Sequence, residues 1–174
     1  MAETLVITIM GADRPGLVAK LAACVADYQG NWLESRMVRL GGQFAGVLRV
    51  ESERPDELIE ALRALEQEGL RSLSERESPS RQGEPESPLV TLDLLGSDRP
   101  GILKALSASL ARHHVNIEEL TTERRPAPMT GEMLFSGHAV VRIPSPDALR
   151  GLRSDLEQIA DDFLVDLMLG ETNR

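Results

Sequence analysis

The sequence predicts an α+β protein of two tandem domains, each with the element order strand, helix, strand, strand, helix, strand. Two observations support this fold class. The segment Gly11–Val18 returns as Gly96–Leu103 at an offset of 85 residues, and Asn31 matches Asn116 at the same offset. In each copy, apolar residues first alternate with a period of two and then recur at helical spacing. This order of elements is that of the ferredoxin-like split βαβ arrangement.

The repeat is a duplication with one insertion. Beyond the second strand the offset becomes 91, so that Phe44 matches Phe135 and Pro55 matches Pro146. The six extra residues fall in the proline-containing stretch 122–131. Residues 74–88 include no apolar side chain, and such a segment cannot bury surface to offset its ordering entropy. We therefore predict a first domain over 1–73, a polar linker over 74–88 and a second domain over 89–174.

The first half of each copy is predicted to be a buried strand followed by an amphipathic helix. The strand residues are Leu5, Ile7 and Ile9 in the first copy, and Val90, Leu92 and Leu94 in the second. The apolar helix positions are Leu17, Val18, Leu21, Val25 and Tyr28, and in the second copy Ile102, Leu103, Leu106 and Leu110. Because proline suits the first helical turn, we expect Pro15 and Pro100 at the first helical position.

The second half of each copy is predicted to be a hairpin, a helix and a last strand. Paired glycines favour a tight hairpin turn, serine favours a helix N-cap, and glycine favours a helix end. The expected positions are second strands beginning near Asn31 and Asn116, a turn at Gly41-Gly42, helices beginning at Pro55 and Pro146 with Ser145 as an N-cap, a helix end at Gly69, and a last strand at 164–169.

The charge and the aromatic content argue against direct nucleic-acid binding. With 19 basic and 28 acidic residues, the net charge is −9, and the chain has five aromatic side chains. Duplex-DNA binders neutralise phosphates with a basic face, and single-strand binders stack bases on aromatic rings. No apolar run approaches the ~20 residues of a membrane span, and Met1–Thr4 lacks the basic region of a secretory signal. We therefore expect a cytoplasmic protein without direct nucleic-acid or membrane contacts.

The sequence Asp-Arg-Pro-Gly joins the first strand to the first helix in both copies, at Asp13–Gly16 and Asp98–Gly101. The first N–H groups of a helix lack intrahelical partners and, with the helix dipole behind them, bind carboxylate or phosphate groups. Two interpretations stay open at this point. The loops hold a ligand anion, or Asp13 and Asp98 merely cap the helices.

Asn31 and Asn116 likewise have either a structural or a ligand-binding interpretation. Asparagine tolerates the left-handed conformation that often ends a helix. It also offers a donor and an acceptor to the amide or ammonium group of a ligand.

These motifs resemble the ACT domain, a small regulatory module that typically senses amino acids. The signs are Gly11–Gly16 with Asn31, and Gly96–Gly101 with Asn116. The tandem layout and the stretch His113–Leu120 are similar to those of the glycine cleavage system transcriptional repressor family. The resemblance implies amino-acid binding by the loop and near the asparagine, often at a domain interface. The implied ligand-binding residues are Asp13, Arg14, Pro15, Gly16, Leu17 and Asn31, and Asp98, Arg99, Pro100, Gly101, Ile102 and Asn116.

Other chemistries find little support in the sequence. The adjacent pair His113 and His114 is a poor zinc pair without further ligands, and Cys24 lies among apolar neighbours that do not activate a thiol. No nucleophile elbow, P-loop or dinucleotide fingerprint occurs. We therefore expect no cofactor, no metal and no catalytic activity.

Together these features predict a regulatory protein that senses a small amino acid, with glycine as the candidate, and acts through another regulatory protein. Through the family resemblance, the regulated process is transcription of the glycine cleavage system. The two small domains are expected to pack together and to form a homodimer. The alternative is an amino-acid-binding accessory subunit of a metabolic enzyme.

Overall fold

The computed structural model describes residues 2–77, 87–128 and 130–171. The chain divides into two compact units, Met1–Gln82 and Gly83–Arg174. Most of the predicted linker, residues 78–86, lies outside the described residues.

The first unit is a four-stranded antiparallel sheet with two helices packed on one face. The strand order is β2-β3-β1-β4. The elements are β1 (Glu3–Ala12), α1 (Leu17–Asp27), β2 (Gly30–Leu40), β3 (Gln43–Ser52), α2 (Pro55–Ala64), a 3₁₀ turn (Leu65–Glu68) and β4 (Leu70–Arg76). The last strand thus includes residues 74–76, which were predicted to belong to the linker.

The second unit repeats this topology with the strand order β6-β7-β5-β8. Its elements are β5 (Leu89–Ser97), α3 (Ile102–Arg112), β6 (Asn116–Pro126), β7 (Met133–Arg142), α4 (Pro146–Phe163) and β8 (Val165–Glu171). The predicted fold class, two ferredoxin-like βαββαβ domains in tandem, is confirmed.

The core of each unit lies between the sheet and its helices. The alternating residues of the first strands face this core, as predicted: Leu5, Ile7 and Ile9 are at most 1% exposed. On α1 the buried line has a four-residue spacing through Leu17, Leu21 and Val25. Val18 and Leu103, which were predicted among the apolar positions of these amphipathic helices, are instead 46% and 41% exposed. The prediction was wrong there because each lies beside, not on, the line of residues that meets the sheet.

The first helices begin two residues later than predicted. Gly16 and Gly101 precede them in the left-handed conformation, with φ of 90° and 100°. Glycine adopts this conformation without the steric cost that a Cβ brings. Pro15 and Pro100 therefore lie in the turn before the helix, and the expectation that they occupy its first position was wrong.

The second helices begin as predicted, with Pro55 and Pro146 in the first turn. The Ser145 hydroxyl accepts a hydrogen bond from the Ala148 N–H at 3.1 Å, which makes it the N-cap of α4. Gly69, with φ 81°, ends the 3₁₀ turn that follows α2. In the second unit Leu164 takes the left-handed position at φ 55°, so the last strand begins at Val165.

Candidate functional site

Each Asp-Arg-Pro-Gly loop lies between the end of an interior strand, β1 or β5, and the start of a helix. Both loop aspartates pair with an arginine. Asp13 forms an ion pair with Arg39 near the end of β2. Asp98 forms the equivalent pair with Arg124 of β6. The N-cap residues of α1 and α3 are Gly16 and Gly101, three residues after the aspartates. The capping interpretation of Asp13 and Asp98 was therefore wrong, and these carboxylates connect the loop to the neighbouring hairpin.

Backbone hydrogen bonds reinforce the same connection. The Asp13 N–H donates to the Gly42 carbonyl at 2.9 Å, and the Asp98 N–H donates to the Met133 carbonyl at 2.8 Å. Both acceptors lie at the beginning of, or just before, the third strand of their unit. Each loop is therefore held by one backbone bond and one ion pair.

The first N–H groups of α1 lie next to Gly16, a residue with open space on its Cβ side. The first intrahelical bond of α1 runs from the Lys20 N–H to the Gly16 carbonyl at 2.9 Å, and in α3 Ala105 and Gly101 form the same bond at 2.9 Å. The N–H groups before Lys20 therefore have no acceptor within the helix. A Cβ added at Gly16 would meet no atom within 4 Å, whereas one at Gly101 would lie 3.8 Å from the Phe163 ring. Chemically, such a helix start can accept a carboxylate.

The arginines of the two loops have different surroundings. Arg14 donates to the carbonyl oxygen of Glu68 in the 3₁₀ turn. The Glu68 side chain in turn pairs with Lys20 of α1, and this hydrogen bond lowers the pKa of the carboxyl group. Arg99 and Pro100 are exposed. The first loop is therefore tied on both sides, to β2 and to the 3₁₀ turn.

Asn31 and Asn116 lie far from the loops of their own units. Asn31 is in register with Glu51, which is in register with Thr4 at the beginning of β1. The loop follows Ala12 at the other end of the same strand, about 26 Å away at roughly 3.3 Å per residue. The second unit has the same geometry, because Asn116 is level with Leu89 through Arg142. Within one unit, a single amino acid cannot contact both the loop and the asparagine.

The asparagines also do not end the helices. The left-handed residues after α1 and α3 are Gln29 and His114, with φ of 54° and 55°. Asn31 and Asn116 are exposed strand residues. The Asn116 amide donates to Glu118 at 3.0 Å, and Glu118 also accepts from Arg142 at 2.9 Å.

The arginine partners of the loop aspartates were not predicted from the sequence. Arg39 and Arg124 stand at the same 85-residue offset as the loops themselves. Their equivalence was therefore present in the repeat, but only the sheet register shows that the hairpin brings them to the loop.

The remaining reactive side chains have local structural partners. Burial raises the pKa of the Cys24 thiol, with Asp27 adding to the effect, and a protonated thiol is a weak nucleophile. His113 Nε2 lies 3.0 Å from Asp155 Oδ2, in a contact between α3 and α4. Within residues 2–77, 87–128 and 130–171, no three His, Cys, Asp or Glu side chains are grouped as metal ligands, and no helix is long and apolar enough to cross a membrane.

Two curated relatives of this chain have the same name. The chain is 32% identical over 127 residues to the glycine cleavage system transcriptional repressor of Escherichia coli (strain K12), and equally to that of Shigella flexneri. The matched region covers 71% of this chain and 66% of each relative. The match therefore spans just under two thirds of the length of these curated relatives.

Solved structures match the whole chain. A crystal structure of an unknown protein from Galdieria sulphuraria has a TM-score of 0.89 and 30% identity, covering 99% of this chain and 100% of the other. A protein provisionally named as a glycine cleavage system transcriptional repressor has a TM-score of 0.72 and 20% identity, covering 100% and 99%. At that identity the second match speaks for the fold alone.

The family comparison covers both copies of the repeat. The model of the ACT domain matches residues 3–75 and 89–169. These two ranges coincide with the two βαββαβ units and include both Asp-Arg-Pro-Gly loops. The chain therefore belongs to the ACT domain family.

Proposed function

We propose that this chain is a regulatory protein that senses a small amino acid, with glycine as the candidate, and represses transcription of glycine cleavage genes through another regulatory protein. The observation that carries the proposal is the 32% identity to the Escherichia coli glycine cleavage system transcriptional repressor, over 127 residues that cover 71% of this chain. The tandem ACT domains support a regulatory role, because 3–75 and 89–169 together make up most of the chain.

The action through another protein is supported by charge. The net charge is −9, and a protein of this sign is repelled by the phosphate backbone unless a local basic surface compensates. The repressing step is therefore a protein–protein contact that changes the DNA binding of the partner. In this proposal the chain is cytoplasmic, is not an enzyme and forms a homodimer.

The proposed amino-acid-contacting residues are the two loops and the two asparagines. At the loops, the ligand carboxylate lies against the first N–H groups of α1 or α3, which follow Gly16 and Gly101. Asn31 and Asn116 are separate contact positions, since the register places them at the opposite end of each sheet.

A deletion experiment tests the regulatory role. Removing the gene in its own host should raise the transcript level of the glycine cleavage genes, and restoring the gene should lower it again. A strain carrying a frameshifted copy is the matched control. Unchanged transcripts in the deletion strain, with and without added glycine, would disprove the proposal.

Gel-shift titration tests how the chain acts. The purified protein should give no specific complex with the glycine cleavage promoter at physiological salt, but it should alter the complex formed by the partner regulator. Affinity purification from the host identifies that partner. Recovery of a biosynthetic enzyme whose activity responds to the chain would instead favour the accessory-subunit alternative.

A further inference from the structure

The second sheet has a cavity on its outer face, the face that its helices leave uncovered. The cavity has a volume of about 590 Å³, and its charged lining comprises Asp93, Glu123, Arg125, His138 and Asp166. Asp93 lies between the buried Leu92 and Leu94 on β5, so its side chain is on the opposite face from the core. This volume is in the ~300–1,000 Å³ range typical of small-molecule sites. We call it the sheet-face cavity.

The strand register explains how these side chains meet. Asp93 is in register with His138 on β7 and with Met168 on β8. One step along, Leu95 is in register with Ser136 and Asp166. The cavity therefore combines carboxylates from β5 and β8 with exposed apolar surface of Leu95 and Met168, which are 42% and 66% exposed.

The polar contacts within the cavity leave it with charges of both signs. His138 Nδ1 lies 2.6 Å from Asp93 Oδ1, so these two side chains form a pair. Glu123 and Asp166 add two carboxylates, and Arg125 adds a guanidinium group to the same lining. Carboxylates attract an ammonium group, and the guanidinium fork matches a carboxylate.

The first unit serves as an internal comparison, because it has the same topology. The triplet equivalent to Asp93, His138 and Met168 is Thr8 with its register partners Val47 and Leu73.

The two units also differ at the positions of Asp166 and Glu123, which lie on the two edge strands of the second sheet. Asp166 is replaced by Arg71, the register partner of Met10, and Glu123 is replaced by Val38. The charged lining thus belongs to the second copy, although both copies retain the Asp-Arg-Pro-Gly loop.

We infer that the sheet-face cavity binds a free amino acid in its zwitterionic form. The ligand carboxylate pairs with Arg125, its ammonium group lies among Asp93, Glu123 and Asp166, and the aliphatic part of its side chain rests on Leu95 and Met168. The inference rests on the proposed amino-acid sensing and adds a second site, separate from the loops and the asparagines. Three carboxylates disfavour phosphate-bearing ligands, and the guanidinium group disfavours simple polyamines.

Calorimetry on the full chain tests the site. The twenty standard amino acids are titrated first, and the tightest binder is then compared with its carboxamide and its decarboxylated amine. Both analogues lack the carboxylate, so each should bind roughly ten- to a hundred-fold more weakly than the amino acid. Arg125→Gln should weaken the amino acid by a similar factor and remove the preference over the carboxamide.

Two further variants test the acidic side of the site. Asp166→Asn should weaken binding by roughly ten-fold or more, whereas Asp161→Asn, the same change at an exposed position of α4, should leave the affinity unchanged. All three positions are at or near the surface, and thermal unfolding curves confirm that each variant is folded.

The other outcomes overturn the inference in distinguishable ways. If an amino acid binds but Arg125→Gln and Asp166→Asn have no effect, the sheet-face cavity is not its site, and amino-acid sensing itself stands. Equal affinity for the decarboxylated amine would show a cation site instead of a zwitterion site. If none of the twenty binds at millimolar concentration, both this inference and the sensing role fail, while the transcript measurement still decides the repressor role.

Discussion

Asp13 on the β1–α1 loop forms an ion pair with Arg39 of β2, and Asp98 repeats this contact with Arg124 in the second unit. The duplication has thus kept a contact between two elements that are far apart in each sequence copy. Since the aspartate does not cap the helix, its contribution to stability should depend on the arginine.

A double-mutant cycle measures this dependence. Asp13→Ala and Arg39→Ala should together cost less than the sum of the single changes, with a coupling energy of about 0.2–1 kcal/mol, as is typical of exposed pairs. Urea unfolding of the four proteins provides the numbers. A coupling energy of zero, with a loss of about 1 kcal/mol for Asp13→Ala alone, would restore the helix-capping role.

The glycines before α1 and α3 should be intolerant of a side chain for conformational reasons. Gly16→Ala and Gly101→Ala place a Cβ at φ of 90° and 100°, and each should lower the free energy of unfolding by about 1–2 kcal/mol. Gly137→Ala is the control, because its Cβ would make only ordinary contacts at 3.8 Å or more.

Because Gly16 is in the left-handed conformation, a large residue at this position is not a clean test of whether a ligand reaches the loop. A bulky residue such as valine at Gly16 would disturb the backbone even though the surrounding space is open. If Gly16→Ala were as stable as the parent protein in thermal melts, the left-handed turn would not be required.

Asp155 should stabilise the second unit in a pH-dependent way. Its carboxylate accepts hydrogen bonds from the buried Ser109 hydroxyl at 2.9 Å and from Arg112 at 2.8 Å. The Ser109 bond is the main cause that lowers the pKa of Asp155 below its ordinary value of 3.8, and His113 and Arg112 contribute further. A lowered pKa means that the stabilisation is present above that ordinary value and is lost as the pH falls through the folded-state value.

The matching experiment is urea unfolding of Asp155→Ala between pH 7 and pH 3. At neutral pH the variant should lose about 1–3 kcal/mol, because Ser109 loses its acceptor, and the difference from the parent should shrink as the pH approaches 3. Asp161→Ala, on an exposed position of the same helix, should show little change. A difference that is constant with pH would argue against a charge-dependent contact.

Replacing Ser145, the N-cap of α4, should lower the free energy of unfolding of the second unit, because a helix N–H group loses its acceptor. Ser145→Ala removes the acceptor of the Ala148 N–H and should cost about 1 kcal/mol, whereas Ser145→Thr should retain most of the stability. Denaturant melts that rank the alanine and threonine variants equally would contradict the capping role.

The expected homodimer can be tested through the exposed apolar residues of the first sheet. Met10, Val47 and Leu73 are 47%, 44% and 64% exposed on its outer face, and contiguous apolar surface often marks an interface. Light scattering should give twice the monomer mass, and Val47→Lys with Leu73→Lys should shift it toward the monomer. A monomeric parent protein at micromolar concentration would contradict the prediction.

Much of the fold could be predicted because its signals are local. The alternation of Leu5, Ile7 and Ile9 and the prolines at the starts of α2 and α4 are properties of short segments, and the repeat shows each signal twice. The predicted starts of α1 and α3 were wrong, because contacts with distant parts of the chain decide the backbone conformation of these loops. Leu17, for example, is the first residue of α1, a position that the pattern assigned to Pro15, because Gly16 takes the left-handed conformation at the N-cap.

The candidate site was less predictable, since it depends on which strands are neighbours. By itself, the sequence determined the duplication, the order of elements and the two Asp-Arg-Pro-Gly loops, because periodicity and turn chemistry are written in consecutive residues. Only the tertiary structure decided that Asp13 meets Arg39, that Asn31 lies about 26 Å from its own loop, and that Asp93 and Asp166 line one cavity. Strand order and register set those distances, and they follow from the packing of the whole sheet against its helices.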